Sequence, residues 1–299
     1  MAHRIRIKQP RRRPQLGIKL GYDTIHRNPD IFNINAAAVE EEEEDSAVSA
    51  EVQAALDLLP NPDLEDSDKL AAIIDPSVID GTWDQIDYLF NFAFEDEDNG
   101  LTNIAPAGGV KLAVAVNAPT HTGGEGFLFN GTTQYLQLGI IPSTDLTNAT
   151  LNDMHVEFYV FDNLDAGTVK IPFGARDATQ TLQTFQNTGL VYTVNNNDAG
   201  TWTTGEGAPA AYADVTRYGV RRTDSTTISF LENGIVVDTE APKTSLNLPV
   251  VEFYVGCRNS IGTADLFINA KLSYWMIGGG FNLTNLDSML DIVETQYGL

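Results

Sequence analysis

Cysteine is almost missing from this chain: Cys257 is the only one in 299 residues. A single thiol excludes an intrachain disulfide framework and fits production in a reducing compartment. Its flanks, VEFYVGCRNS, read as the end of a strand, which makes Cys257 a packed or edge thiol. No apolar run approaches the roughly 18 residues needed to cross a bilayer. The charged N-terminus is not followed by an apolar stretch and does not read as a secretory signal. The expectation is a soluble chain, made and kept in a cytoplasm, with no membrane partner. Histidine is scarce too. His3, His26, His121 and His155 show no metal-ligand spacing, so no metal or cofactor is expected from them. Gly-x-Ser-x-Gly, P-loop and dinucleotide fingerprints are missing. GEGAPAAYAD and MIGGGF are glycine-rich but lack a strand–turn–helix context, and both read as turns.

Positive charge is in short supply: 18 Lys and Arg stand against 41 Asp and Glu, a net charge of −23. Such a balance disfavours contact with nucleic acid or anionic membrane, except where the bases concentrate. They concentrate at the start. Residues 1–27 hold eight Lys or Arg and one acid, whereas residues 40–98 hold twenty acids and one Lys.

Three regions follow. Residues 1–38 read as an extended basic arm, because Pro10 and Pro14 bracket Arg11, Arg12 and Arg13 and oppose a helix. Arg4, Arg6 and Lys8 add charge, and Ile18, Leu20, Ile25, Ile31, Phe32 and Ile34 are scattered without a period. A segment of this kind gains order by lying along a partner's surface, so it is a docking arm; the alternative is a solvated tail. Any nucleic-acid contact belongs to this arm alone. Residues 39–80 form an acidic linker with short helices. Ser49 can cap AEVQAALDLL, which Pro60 stops, and DLEDSDKLAAIIDP gives a second helix closed by Pro76. Residues 81–299 form the body. It opens on DGTWDQIDYLFNFAF, where Thr82 and Gln85 suggest a capping box and Trp83, Ile86, Leu89, Phe90 and Ala93 a helical stripe.

From Lys111 the period changes to two. KLAVAV, GFLFN, TQYLQLG, MHVEFYVF, TVKIPFGA, GLVYTVN, VTRYGVRR, TTISFLENGIVVDTE, PVVEFYVGC and ADLFINAKLSYWMIG are strand candidates. In MHVEFYVF, Met154, Val156, Phe158 and Val160 share one face. Asn233-Gly234 is a preferred type I′ hairpin pair. TNLDSMLDIVETQYGL closes the chain as a helix, with Thr284 as its cap and Leu286, Met289, Leu290 and Val293 inward. With no alternating βαβ pattern, the fold class is all-β, a jelly-roll sandwich preceded by short helices and the arm.

GFLFNGTTQYLQLG (126–139) and ISFLENGIVVDT (228–239) resemble strand pairs of the concanavalin A-like lectin/glucanase sandwich, in its laminin-G-like branch. The wider run from DGTWDQIDYLF through NAPT, with the ending GTADLFINAKLSYWMIGGGFNLTNLDSMLDIVETQYGL, is similar to structural proteins of tailed bacteriophages. The likeness covers about residues 80–299 and leaves out the arm. It implies a non-enzymatic virion component, on a capsid surface or tail, partnered by other virion proteins through the arm. The alternative is a carbohydrate-binding adhesin that contacts a host-surface glycan. Glucanases of this fold place paired carboxylates about 5 Å apart. That pattern is missing here, and Glu157 and Glu252 read as lone, exposed strand residues. Asp162 reads as a turn residue. In NNNDAGTWTTGEGAPAAY, Trp202 and Tyr212 are the glycan-binding candidates, with a core role for Trp202 as the alternative. NNNDAG (195–200) reads as a hairpin tip that could offer oxygens to calcium.

Overall fold

The computed structural model describes residues 48–163, 170–187, 190–198, 203–204, 213–242 and 244–299. The arm residues Arg4, Arg6, Lys8, Arg11, Arg12, Arg13, Ile18, Leu20, Ile31 and Phe32 lie outside the described residues, as do Trp202 and Tyr212.

The described residues form two sheets packed as a sandwich, with helices. The first sheet contains β1 (Ile86–Asn91), β3 (Thr120–Thr122), β4 (Gly126–Leu128), β6 (Met154–Asn163), β11 (Thr216–Arg222), β12 (Ile228–Glu232), β13 (Ile235–Glu240) and β17 (Ala270–Gly278). Its order is β13-β12-β11-β6-β17-β4-β3, with β1 also paired to β17. The second sheet contains β2 (Val114–Val116), β5 (Tyr135–Gln137), β7 (Lys170–Arg176), β8 (Gln180–Asn187), β9 (Leu190–Asp198), β10 (Thr203–Thr204) and β14 (Tyr254–Val255). These run in the order β10-β9-β8-β7-β14-β5-β2, and β15 (Arg258–Ser260) and β16 (Thr263–Asp265) join beside β7. The helices are α1 (Ala50–Leu56), α2 (Leu64–Ile79), the short α3 (Glu97–Gly100) and α4 (Pro142–Asp145), and α5 (Leu283–Tyr297).

Alternation decides which side chains enter the sandwich. Met154, Val156, Phe158 and Val160 of β6 face inward against Leu136, Phe173, Leu182, Phe253 and Trp275. A second apolar layer lies on the outer face of the first sheet. Ile86, Leu89, Tyr159, Tyr274 and Met276 are covered there by Val52 of α1, Leu70 and Ile74 of α2, and Leu286 and Leu290 of α5. The acidic helices are therefore packed on the body. Each buried side chain of this size contributes about 1.5–3 kcal/mol, so this layer is a structural part of the fold.

The local signals hold in several places. Ser49 caps α1, accepting from the Val52 amide. Asp63 and Asp66 form a capping box on α2. Asn233 and Gly234 take φ of 48° and 73°, the left-handed pair a type I′ turn requires. Cys257 is buried, and burial pushes its thiol well above the usual range.

Other expectations are corrected. The residues after Thr82 form a single 3₁₀ turn, Trp83–Gln85, and then strand β1, where a helix was expected. Tyr88, Phe90 and Phe92 face the sandwich core, while Ile86, Leu89 and Phe94 face the helices. With both faces buried the period of two is hidden, and a helical stripe can be drawn through the mixture. Helix α2 runs past Pro76 to Ile79, and the Ser77 hydroxyl donates to the carbonyls of Ile73 and Ile74 around the break. The cap of α5 is Asn282, which accepts from the Thr284 amide, so Thr284 lies inside the helix. Asp162 belongs to β6, and Asn195 to Asp198 belong to β9. Glu157 is not exposed.

Candidate functional site

Two polar assemblies stand out, one on each outer face of the sandwich. The first surrounds Glu157. His155 and Glu157 are neighbours on the outward side of β6, and His155 Nε2 lies 2.5 Å from Glu157 Oε2. Arg217, opposite Tyr159 on β11, places Nε 2.9 Å from Glu157 Oε1. Its Nη1 donates to Glu294 Oε1 at 2.8 Å and to Asp291 Oδ1 at 3.2 Å, and Nη2 pairs with Asp287. The three acids lie on one face of α5, at positions i, i+4 and i+7. Tyr274 of β17 donates to Glu294 Oε1 at 3.2 Å. Burial would lower the guanidinium's affinity for its proton, but Tyr274, Glu157, Glu294 and Asp287 reverse that and hold it charged. Burial raises Asp287 and Glu294, partly offset by Arg217. Arg217 and Glu157 are each about 2% exposed. No substrate reaches Glu157 under α5; the assembly fastens the helix to the sheet.

The second assembly is on the outer face of the second sheet. Register builds a row across four strands: Gln137 of β5 opposes Tyr254 of β14, Tyr254 opposes Gly174 of β7, and Gly174 opposes Gln183 of β8. The rings of Tyr135 and Tyr254 lie 4.7 Å apart, and Phe267 is 6.1 Å from Tyr135. Gln137 Nε2 donates to the Tyr254 hydroxyl at 3.2 Å. Beside this row is a groove of about 390 Å³, lined by Gly139, Ile141, Val251, Glu252, Asn259 and Gly262. Glu252 accepts the Gly139 amide at 3.2 Å, which leaves carboxylate lone pairs for other donors. Asn259 shapes the wall, donating to the Glu252 carbonyl and accepting the Gly262 amide. Burial raises the phenols of Tyr135 and Tyr254, so both hydroxyls stay neutral donors.

Farther along the row the surface is more closed. A Cβ at Gly174 would sit 3.0 Å from Gln183 Cβ and 3.3 Å from Arg258 Cγ, so a larger residue would crowd these side chains where they cross. Arg258 makes a two-pronged pair with Asp265, at 2.8 and 2.6 Å. Gln183 is fully buried with neither amide atom partnered, and the Thr181 hydroxyl is likewise unpartnered.

A half-buried aromatic ring, Tyr135, backed by the buried Tyr254, together with amides and a carboxylate near an open groove, is what a hydroxyl-rich, partly apolar ligand such as a sugar requires. The glycan candidates chosen from sequence, Trp202 and Tyr212, lie outside the described residues, and the structure brings forward Tyr135, Gln137, Glu252 and Tyr254. Their signal was the pattern of aromatic and polar residues two apart in TQYLQLG and VVEFYVG. Among the described residues no group of three or more His, Cys, Asp or Glu could hold a metal ion.

No protein-family model matches this chain, and no curated protein does. Among solved structures it is similar to the botulinum neurotoxin serotype D binding domain, with a TM-score of 0.51 and 8% identity over 70% of this chain and 52% of that one. It is also similar to the receptor binding domain of botulinum neurotoxin C/D mosaic serotype, with a TM-score of 0.51 and 8% identity over 70% and 51%. Domain 4 of AbnA, an extracellular GH43 arabinanase from Geobacillus stearothermophilus in complex with arabinotriose, scores 0.47 at 13% identity over 69% and 98%. The chain spans about half the length of the two toxin structures. At these identities the likeness to the toxin domains concerns the fold, and it agrees with the two-sheet sandwich described above.

Proposed function

We propose that this chain is a carbohydrate-binding module, an adhesin in the sense of the alternative reading of the sequence. The ligand lies in the groove beside Tyr135 and Tyr254. The observation that carries this is the open groove lined by Gly139, Ile141, Val251, Glu252, Asn259 and Gly262, with the half-buried Tyr135 and Gln137 on the strand that leads into it. A non-catalytic role is supported by where the two lone carboxylates sit. Glu157 is on the outer face of the first sheet and Glu252 on that of the second, with the sandwich core between them. A retaining pair needs about 5 Å, and packed sheets alone are about 10 Å apart. Membership of a virion, anchoring through the arm and residence in a virion made in a host cytoplasm rest on the sequence resemblance alone.

The test is a glycan array probed with the full chain, followed by titration calorimetry on the best ligand. Tyr135→Ala and Gln137→Ala should each weaken binding about tenfold, or about 1.4 kcal/mol, with the thermal midpoint unchanged. Binding lost in Trp202→Ala but kept in Tyr135→Ala would move the site to Trp202. Release of reducing ends from any bound glycan would refute the non-catalytic reading.

A further inference from the structure

The helical layer carries a second feature that the glycan site does not use. On α2 the residues Leu64, Asp68, Asp75 and Ile79 recur at i, i+4, i+11 and i+15, so they form one stripe along the helix, in which Asp75 is half-buried and accepts the Ser49 hydroxyl at 2.6 Å. Leu64 is 87% and Ile79 88% exposed, more than any other large apolar residue described. Asp68, Glu65, Asp63, Asp80 and Asp57 are exposed around them. From 48 to 80 there are eight acids and one base, Lys69, which Glu65 already holds at 2.7 Å. The stripe is thus an acidic helix face with an aliphatic residue at each end. It is about 22 Å long, the reach of about seven extended residues.

The same chain contains a segment with the opposite character. Residues 4–8 read RIRIK, alternating cation and isoleucine, and Arg11, Arg12 and Arg13 follow. The remainder of the chain is net acidic, so these residues are attracted to the acidic faces of a second copy.

We propose that the exposed stripe of α2 receives residues 4–13 of a second copy of this chain. Aliphatic Leu64 takes up Ile5 or Ile7, while Asp68 and Glu65 face Arg4, Arg6 and Lys8. Each copy carries both the arm and the receiving face, so two copies can exchange arms reciprocally as a twofold pair or pass them head-to-tail into rings or filaments. The attraction is between exposed charges and falls with salt, since the screening length is about 10 Å at 0.1 M and shorter above it.

The experiment uses the full chain after nuclease treatment. Unlabelled and ¹⁵N-labelled protein are mixed in equal amounts at 50 mM salt and treated with a zero-length carbodiimide. About half of the peptides joining Lys8 to Asp68 or Glu65 should combine the two isotopes. Sedimentation velocity should show species larger than a monomer, with association weakened at least tenfold at 500 mM salt. The Arg4→Glu/Arg6→Glu/Lys8→Glu variant should be weakened as much, and adding a Glu65→Arg/Asp68→Arg copy to it should restore association. Cross-links confined to chains of one isotope would show that each arm lies on its own body and would overturn the proposal. A wild-type chain that stays monomeric at low salt would overturn it as well.

Discussion

Replacing Arg217 with Met is the sharpest test of the buried charge assembly. The substitution keeps most of the apolar stem and removes the guanidinium, which leaves Glu157, about 2% exposed, with His155 as its remaining side-chain partner. Breaking a buried ion pair from one side costs about 3–5 kcal/mol, because the other charge stays out of water. The links to Asp287 and Asp291 add little, since those side chains are 39% and 64% exposed and solvent screens them. For a body of this size each kcal/mol moves the midpoint by about 2–4 °C, so a fall of about 6–20 °C is expected in thermal circular dichroism at pH 7. Hydrogen exchange should quicken most over Leu283–Tyr297, which loses its polar anchor. The double variant Glu157→Gln/Arg217→Met should be more stable than the sum of the single losses predicts, by at least about 1 kcal/mol. A single-variant loss under about 1 kcal/mol, or strict additivity in the cycle, would refute the claim that Arg217 fastens α5.

Three further outcomes are expected. Asp66, Asp87, Asp287 and Glu294 have raised carboxyl pKa values, chiefly from burial, so the stability they add is present in acid and lost as pH rises through those values. Asp96, Asp145 and Asp177 are held low by hydrogen bonds that outweigh burial, so their contribution is lost only as pH falls below about 4. The thermal midpoint should therefore peak on the acid side, and Glu294→Gln should flatten its decline towards pH 7; a midpoint that climbs from pH 5 to 7 contradicts this. Gly234→Val puts a branched side chain at positive φ and against the Asp287 carboxylate, and should lower stability by about 1–3 kcal/mol in urea melts. Gln183→Met removes a buried amide with no partner and should stabilise by about 1–3 kcal/mol, whereas a loss would mean the amide has a partner in solution.

Much of the sandwich was legible because its strands keep one face wet or polar. In MHVEFYVF the inward and outward residues differ enough to fix both strand and face, and Asn233-Gly234 marks a hairpin by a backbone requirement that few other pairs meet. Legibility failed where that contrast vanished. Strand β1 is buried on both faces, and its polar Asp87 and Asn91 are buried too. Strand β8, QTLQTFQN, is polar almost throughout, and only Leu182 reveals its inward side, so it went unnoticed although it carries Gln183. The site was hidden for another reason. Gln137 and Tyr254 are 117 residues apart and meet only through strand order. Glu157 looked exposed because the helix that buries it comes at the end of the chain, and no local pattern links HVEFYVF to DSMLDIVE.

The two faces of the sandwich differ because their outward residues differ. On the first sheet these include Ile86, Leu89, Tyr159, Tyr274 and Met276, an apolar surface too large to leave in water, and α1, α2 and α5 cover it. On the second they include Gln183, Tyr254 and Arg258, which are buried, and Tyr135 and Gln137, which stay partly exposed and suit a ligand that brings its own hydroxyls. The ion-paired clamp and the proposed ligand row thus occupy opposite sides of one packed core. Sites more than about 7–10 Å apart with no shared partner act additively to within about 0.5 kcal/mol. Weakening the clamp with Arg217→Met should then leave the glycan affinity of the folded fraction unchanged, and Tyr135→Ala should leave the clamp's stability unchanged. Coupling between them well above 0.5 kcal/mol would mean that the helical layer shapes the ligand face through the core, and that the sandwich is not a rigid spacer between two independent surfaces.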